Sequence, residues 1–330
     1  MATLYLTEQG SKITRTSGRL VISKEGEVIQ QIPIIKVERI VIYGRVKITI
    51  PVLELILTED IPTAFLTIEG RLKGVLEPAR SKNIILRIKQ FERSRDPSFK
   101  LQFARSIVRG KISNQRRLIQ RFSSHHPEID FKPYLNQLNW LKDSISYETA
   151  ISGLRGLEGK ATALYFSAYA KLFKDEIKFT NRTRRPPRDP VNSLLSFGYT
   201  ILVNEYFSLL SASGFDPYLS FYHAIGYGRP SLAIDLVEEL RHPIIDMLVL
   251  DLIGRRILRL EDFTESQDGF YLTSEGRKAF FTNYERRMNR EFIHPRENTI
   301  TTMRKVMRDQ VSKLLDTVMT NKEYEPYLIG

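Results

Sequence analysis

Leu72-Lys73-Gly74-Val75-Leu76-Glu77-Pro78, followed shortly by Ile84-Ile85-Leu86-Arg87-Ile88-Lys89-Gln90-Phe91, brackets the point where the chain changes character. Upstream, apolar residues alternate with polar ones at residues 3–6, 19–23, 28–33, 39–43, 46–48, 63–67 and 72–75. A period of two is the signature of half-buried strands. Lys24-Glu25-Gly26, Tyr43-Gly44 and Glu69-Gly70-Arg71 supply turn residues between them. Pro51 opens one short predicted helix over 52–57, because proline is tolerated in a first helical turn. Downstream the period moves to about 3.6 residues and the strand-like runs stop. The chain therefore reads as α+β: a small β-sandwich-like domain over 1–78, then a larger all-α domain over 79–330. Helices are expected at 147–173, 190–211, 231–253 and 299–318, with a break at 123–133. Asp189 before Pro190 is a good N-cap for the second of these.

Composition narrows the function. Fifty Lys and Arg against 38 Asp and Glu leave a net charge of +12 over 330 residues, which suits a polyanionic partner. There is no cysteine, so disulfides and thiolate–zinc sites are excluded. No run of eighteen apolar residues lacks a charge, and Met1-Ala2-Thr3-Leu4-Tyr5 is not a basic leader with an apolar stretch behind it. A cytoplasmic protein without a membrane span is the expectation.

The charge is unevenly placed. Between Arg80 and Arg121 basic residues recur, among them Arg105, Arg109, Arg116 and Arg117, opposed only by Glu92 and Asp96. Ile84, Ile85, Ile88 and Phe91, then Leu101, Phe103, Ile107 and Val108, are expected on the buried side of these helices. A nearly one-signed face repels itself unless an anion neutralises it, so contact with a phosphate backbone is expected. Arg182-Thr183-Arg184-Arg185-Pro186-Pro187-Arg188 forms a second cluster, which two prolines hold extended. Arg184, Arg185 and Arg188 are candidate phosphate contacts, and a plain charged connection is the competing reading.

Three oxygen and nitrogen donors stand out against this basic background: Glu158, His223 and Glu238. Two carboxylates with one imidazole suit Mg²⁺ or Mn²⁺. Gly156 and Gly159 flank Glu158 inside a helical pattern and each costs about 1 kcal/mol relative to alanine, which points to close approach by a backbone or ligand. Asp235 and Glu238 are three residues apart on one helix face, so they repel unless a cation lies between them. A metal ion, Arg229 and Arg241 are equal candidates. No His-Glu-x-x-His pair, Gly-rich phosphate loop or Gly-x-Ser-x-Gly elbow is present.

Longer blocks sharpen this reading. Gly156-Leu157-Glu158-Gly159, Gly214-Phe215-Asp216-Pro217, the run from Arg184 to Tyr199 and the run from Ser231 to Arg241 occur in one order. Together they closely resemble the CRISPR-associated endonuclease and integrase family of spacer acquisition. Leu4-Tyr5-Leu6 and the stretch from Ile32-Pro33 to Gly44 look like its β domain. The resemblance implies a homodimer that assembles with the small partner protein Cas two and acts on double-stranded and branched DNA. It also implies a divalent metal, Mg²⁺ or Mn²⁺, on Glu158, His223 and Glu238, with Asp235 the second choice for the third ligand. One departure is His242, which stands between Arg241 and Pro243 where the family's arginine is followed directly by proline. Phosphodiester transfer inserting new spacers into a CRISPR array is the expected activity. Two rivals are a non-enzymatic DNA-binding scaffold and a tyrosine recombinase using His223, Arg229 and Arg241 with Tyr165, Tyr199 or Tyr222.

Overall fold

The computed structural model describes the chain apart from Met1, Glu69, Arg71, residues 77–82 and 174–176, Arg185 and Asp268. The Glu77-Pro78 boundary, Arg80 and the candidate phosphate contact Arg185 therefore lie outside the described residues, as do Glu69 and Arg71 of one expected turn. By contacts the chain divides into two compact units, Met1–Ser81 and Lys82–Gly330.

The first unit contains β1 (Ala2–Leu6), β2 (Lys12–Thr16), β3 (Arg19–Lys24), β4 (Glu27–Pro33), β5 (Val37–Tyr43), β6 (Lys47–Ile48), α1 (Ile50–Thr58), β7 (Thr63–Leu66) and β8 (Leu72–Leu76). Two tight turns set its hairpins: Ser17-Gly18 (φ 44° and 75°) joins β2 to β3, and Glu25-Gly26 (φ 52° and 91°) joins β3 to β4. Positive φ at both central residues matches the right-handed twist of the flanking strands. The strands form two four-stranded sheets, ordered β1-β5-β7-β8 and β4-β3-β2-β6. Leu4 and Leu6 of β1, Ile40 and Ile42 of β5, Ile13 of β2, and Leu20 and Ile22 of β3 share one core with Val52, Leu55 and Ile56 of α1. Two features lie outside a simple sandwich: β1, β5 and β7 pair in parallel, and a helix fills part of the core. Strand β2 has no counterpart in the sequence reading, because Lys12-Ile13-Thr14-Arg15-Thr16 offers a single apolar residue. That residue, Ile13, is 1% exposed and suffices to seat the strand.

In the second unit, α2 (Ile84–Arg95) is followed by α3 (Pro97–His125), α4 (Lys132–Ser144), α5 (Ile151–Ala170), α6 (Pro190–Ala212), α7 (Ser231–Arg241) and α8 (Met247–Gly254). The hairpin β9 (Phe263–Ser266) and β10 (Gly269–Leu272) precedes α9 (Ser274–Asn289). The short pair β11 (Phe292–Ile293) and β12 (Ile300–Thr301) precedes α10 (Met303–Thr320). The expectation of helices alone after residue 78 is thus corrected by two small hairpins. Asp189 caps α6 as anticipated, accepting from the Asn192 amide at 2.8 Å. Between α7 and α8 the helix passes through a π turn at His242–Asp246. His242, the departure from the family's expected Arg-Pro step, opens that turn, and a π turn is how a helix can take up one residue without breaking.

The apolar stripe of α2 is a second correction. Ile84, Ile85, Ile88 and Phe91 are 52–61% exposed, and the buried face carries Leu86, Gln90 and Ser94. Gln90 anchors the buried face. Its amide donates to the carbonyls of Asp216 and Leu219 at 2.8 Å each and accepts from the Asp216 N–H at 2.9 Å. A buried amide so completely paired carries no desolvation penalty from unmet polar groups. In α3, by contrast, Phe103, Ile107 and Val108 are buried as expected.

Helix α3 packs against α4, α5 and α7 and carries a polar strip through the core. The C-terminal segment after α10 is irregular, yet Tyr324, Tyr327 and Ile329 are buried. Asn114 of α3 donates to the Tyr327 carbonyl at 2.8 Å and accepts from the Ile329 amide at 3.0 Å. Glu239 of α7, fully buried, accepts from the Tyr324 hydroxyl and the Tyr327 amide at 2.6 Å each and from Gln310. Burial raises its carboxyl pKa to about 7, against the lowering effect of those hydrogen bonds. A folded pKa above the ordinary 4.5 favours the protonated form, so this stabilisation is complete below pH 4.5 and lost as pH rises through about 7. Urea denaturation across that window should show wild-type stability falling by roughly 3 kcal/mol, and Glu239→Gln should flatten the fall.

Candidate active site

Pro217-Tyr218-Leu219-Ser220 leads into an irregular turn that ends in His223, and this turn is wrapped around one carboxylate. Asp235, on the second turn of α7 and fully buried, accepts from the Ser220 hydroxyl (2.6 Å) and the amides of Phe221 (3.1 Å), Tyr222 (3.2 Å) and His223 (3.0 Å). It also bonds His223 Nδ1 at 2.7 Å. A carboxylate can only accept, so Nδ1 carries the proton and Nε2 is the ring's remaining donor atom for a ligand. Nε2 lies 3.9 Å from Glu238 Oε1. The sequence reading stacked Asp235 and Glu238 as two carboxylates awaiting one cation. Instead Asp235 is spent on the turn, and only Glu238 faces the cluster.

Glu238 is 3% exposed. Its Oε1 lies 2.8 Å from the Arg241 guanidinium, and Arg241 in turn lies over the Tyr199 ring, 4.7 Å from its centroid. Its Oε2 lies 2.6 Å from Lys111 Nζ, within reach of a charge-assisted hydrogen bond from the buried ammonium. Burial alone would raise the Glu238 pKa; Arg241, Lys111 and His223 overcome it and hold the carboxyl well below the usual range. Glu158, from α5, contacts Lys111 through Oε1 and accepts from the Tyr222 hydroxyl through Oε2 at 3.1 Å. Glu158 and Glu238 therefore meet through the Lys111 ammonium. Among the described residues no three acidic or imidazole side chains are gathered closely enough to form a ready metal group. Lys111, 1% exposed, bridges the two carboxylates, and His223 Nε2 stands 3.9 Å from Glu238.

Lys111 is the residue that the sequence reading missed. It was counted within a solvent-facing basic run, although Ala104, Ile107, Val108 and Lys111 follow the helical spacing of the buried face of α3. That spacing was the available signal. Its neighbours in the run disperse. Arg105 donates to the Glu148 carbonyl at 2.6 Å and Arg116 reaches Gln120, whereas Arg109, Arg117, Arg184 and Arg188 are exposed. Arg182 is bound to Asn192 and Ser196 and shapes its own loop.

Gly156 and Gly159 lie on the exposed side of α5, either side of Glu158, and an added Cβ would meet nothing within 4 Å at either position. No neighbouring backbone approaches them, contrary to one half of the expectation, so the face beside Glu158 is open. The tyrosines weighed as nucleophiles are sequestered. The Tyr199 hydroxyl donates to Asp246 and that of Tyr222 to Glu158, while Tyr165 is fully buried. Burial first, then the carboxylates Asp246 and Glu158, raises all three hydroxyl pKa values, which makes each a poor nucleophile. Further in, His242 bonds Asp246 at 2.7 Å and Gln115 at 3.0 Å.

Fold and site together define a two-unit α+β protein whose helical unit buries a carboxylate–imidazole–ammonium cluster beside an open helix face. The family model for CRISPR associated protein Cas1 matches residues 4–286, and the chain belongs to that family. It is 36% identical over 328 residues to "CRISPR-associated endonuclease Cas1 3" of Thermus thermophilus, covering 98% of this chain and 94% of the relative. A solved CAS1 protein from Thermotoga maritima superposes with a TM-score of 0.83 at 26% identity, over 100% of this chain and 99% of that one. A casposase bound to its integration product shares the fold, with a TM-score of 0.87 at 22% identity over 99% and 93% of the two chains.

Because Asp235 satisfies five donors at once, Asp235→Ala should destabilise the protein by about 3 kcal/mol or more in urea denaturation. At the open glycines the sign reverses. Gly159→Ala should stabilise α5 by about 1 kcal/mol in the same assay.

Proposed function

We propose that this chain is a divalent-metal-dependent DNA endonuclease and integrase that inserts new spacers into a CRISPR array by phosphodiester transesterification. The observation that carries the reading is that Glu158 and Glu238 share one buried cation, with His223 Nε2 3.9 Å from Glu238, in a chain whose relatives are named Cas1 endonucleases. The residues fit Mg²⁺ or Mn²⁺: two carboxylates that already share one cation, with an imidazole nitrogen beside Glu238, form an oxygen-rich donor set. Glu158, His223 Nε2 and Glu238 would hold the ion; Asp235, saturated by the turn it supports, would not. Bound there, a divalent ion supplies charge stabilisation at a phosphoryl oxygen.

The protein's own groups do the rest. Asp235 orients the imidazole, Arg241 fixes one oxygen of Glu238, and Tyr222 orients Glu158. The open face at Gly156 and Gly159 gives a DNA backbone access to Glu158. The nucleophile is a DNA 3′-hydroxyl in integration or water in cleavage, and no protein–DNA covalent intermediate forms. Exposed Arg109, Arg117, Arg184 and Arg188 suit phosphate contact, which positions DNA without reading its sequence. Action as a homodimer with the small partner Cas2, on double-stranded and branched DNA, follows from the family resemblance. Among the described residues no helix is long and apolar enough to cross a membrane.

The test is strand transfer and cleavage on branched DNA with Mn²⁺. Glu158→Ala and His223→Ala should each lower turnover by roughly 100-fold or more while DNA affinity stays near wild type and weakens steeply with salt. Turnover that survives both changes would overturn the ligand assignment. Unchanged binding with no metal-dependent turnover in any sample, Cas2 included, would favour the scaffold reading instead.

A further inference from the structure

Lys111 presents a problem of charge. Its side chain is 1% exposed, and a buried ammonium persists only when paired. Its partners are the two carboxylates assigned above to the metal, Glu158 on α5 and Glu238 on α7. With Arg241 on the other oxygen of Glu238, the cluster holds two carboxylates and two cationic side chains and is balanced as it stands. A divalent ion entering among the same oxygens adds two positive charges, so one resident cation has to give way.

The two cations are not equivalent. Arg241 is buried, lies over the Tyr199 ring and binds Glu238 Oε1. Lys111 instead occupies the oxygens that a metal shared by Glu158 and Glu238 requires, Glu158 Oε1 and Glu238 Oε2. It is also the more easily moved, being a point charge on a flexible stem rather than a stacked planar fork.

We propose that Lys111 is a placeholder cation. Its ammonium gathers Glu158 and Glu238 while no metal is bound, and an arriving divalent ion displaces it from Glu158. Lys111 is then a positioning residue acting through the two carboxylates. It keeps them together against mutual repulsion and, by competing for them, sets how tightly the ion binds. The inference rests on the metal reading of this site.

The experiment is Mn²⁺ binding to the full chain without DNA, followed by calorimetry and electron paramagnetic resonance. Lys111→Met should bind Mn²⁺ roughly ten-fold tighter than wild type, while Lys111→Arg, which retains the charge, should not gain. Metal-free Lys111→Met should melt below wild type, and Mn²⁺ should raise its melting temperature by more. A lysine with a merely structural role predicts the opposite, weaker metal binding when it is lost. Should Lys111→Met not fold, Lys111→Gln keeps a hydrogen-bond donor without the charge and carries the same expectation. In the wild type, the Lys111 ammonium signal in isotope-labelled lysine NMR must shift on adding Mg²⁺, and an unchanged signal overturns the proposal. Glu158→Gln separates the failures. If it weakens Mn²⁺ binding but loss of Lys111 does not tighten it, the placeholder alone falls. If it makes no difference, the metal reading falls and takes the placeholder with it.

Discussion

Helix α3 must carry Lys111, Asn114 and Gln115 through a hydrophobic interior, and much of the helical unit is arranged to satisfy them. Each is at most 1% exposed, and a buried polar group left unpaired costs about 1–3 kcal/mol. Lys111 draws in Glu158 from α5 and Glu238 from α7. Asn114 binds the Glu239 carbonyl and threads the C-terminal segment across α3 through Tyr327 and Ile329. Gln115 meets His242 in the π turn. One polar strip thereby links the cluster, the tail and the helix irregularity. Gly110 on the same helix lets the tail approach, since a Cβ there would collide with Pro326.

The carboxylates of α7 show how environment divides identical chemistry among roles. Asp235, Glu238 and Glu239 sit within five residues and are all buried. Asp235 is saturated by backbone amides, a hydroxyl and an imidazole, so it builds the turn that delivers His223. Glu238 faces cations and is held ionised. Glu239 accepts from Tyr324, Tyr327 and Gln310, whose hydrogen bonds only partly offset its burial, and its pKa rises. Helical phase sends each to a different neighbour, and the neighbour sets the charge state.

A net charge of +12 is compatible with a polyanionic partner, yet the basic residues do not act as one surface. Lys111 is consumed inside the cluster, Arg105 by the Glu148 carbonyl and Arg182 by its own loop, and a smaller exposed set remains.

The sequence by itself determined what depends on local periodicity and turn chemistry. Alternation marked seven of the first unit's strands, Pro51 marked α1, and Asp189-Pro190 marked the start of α6. The family resemblance singled out Glu158, His223 and Glu238 as expected ligands, and Glu158 and Glu238 do meet at one cation. Tertiary structure decided whatever depends on a partner distant in the chain. The apolar stripe of α2 faces outward, and the face turned inward carries Gln90, whose partners are carbonyls more than a hundred residues away. Strand β2 formed on one buried isoleucine because its neighbours supplied the ladder. Lys111 became part of the candidate site because carboxylates 47 and 127 positions along met it in the core. A charge on the buried stripe of a helix announces that it has a partner; only the packing of α3 against α5 and α7 says which.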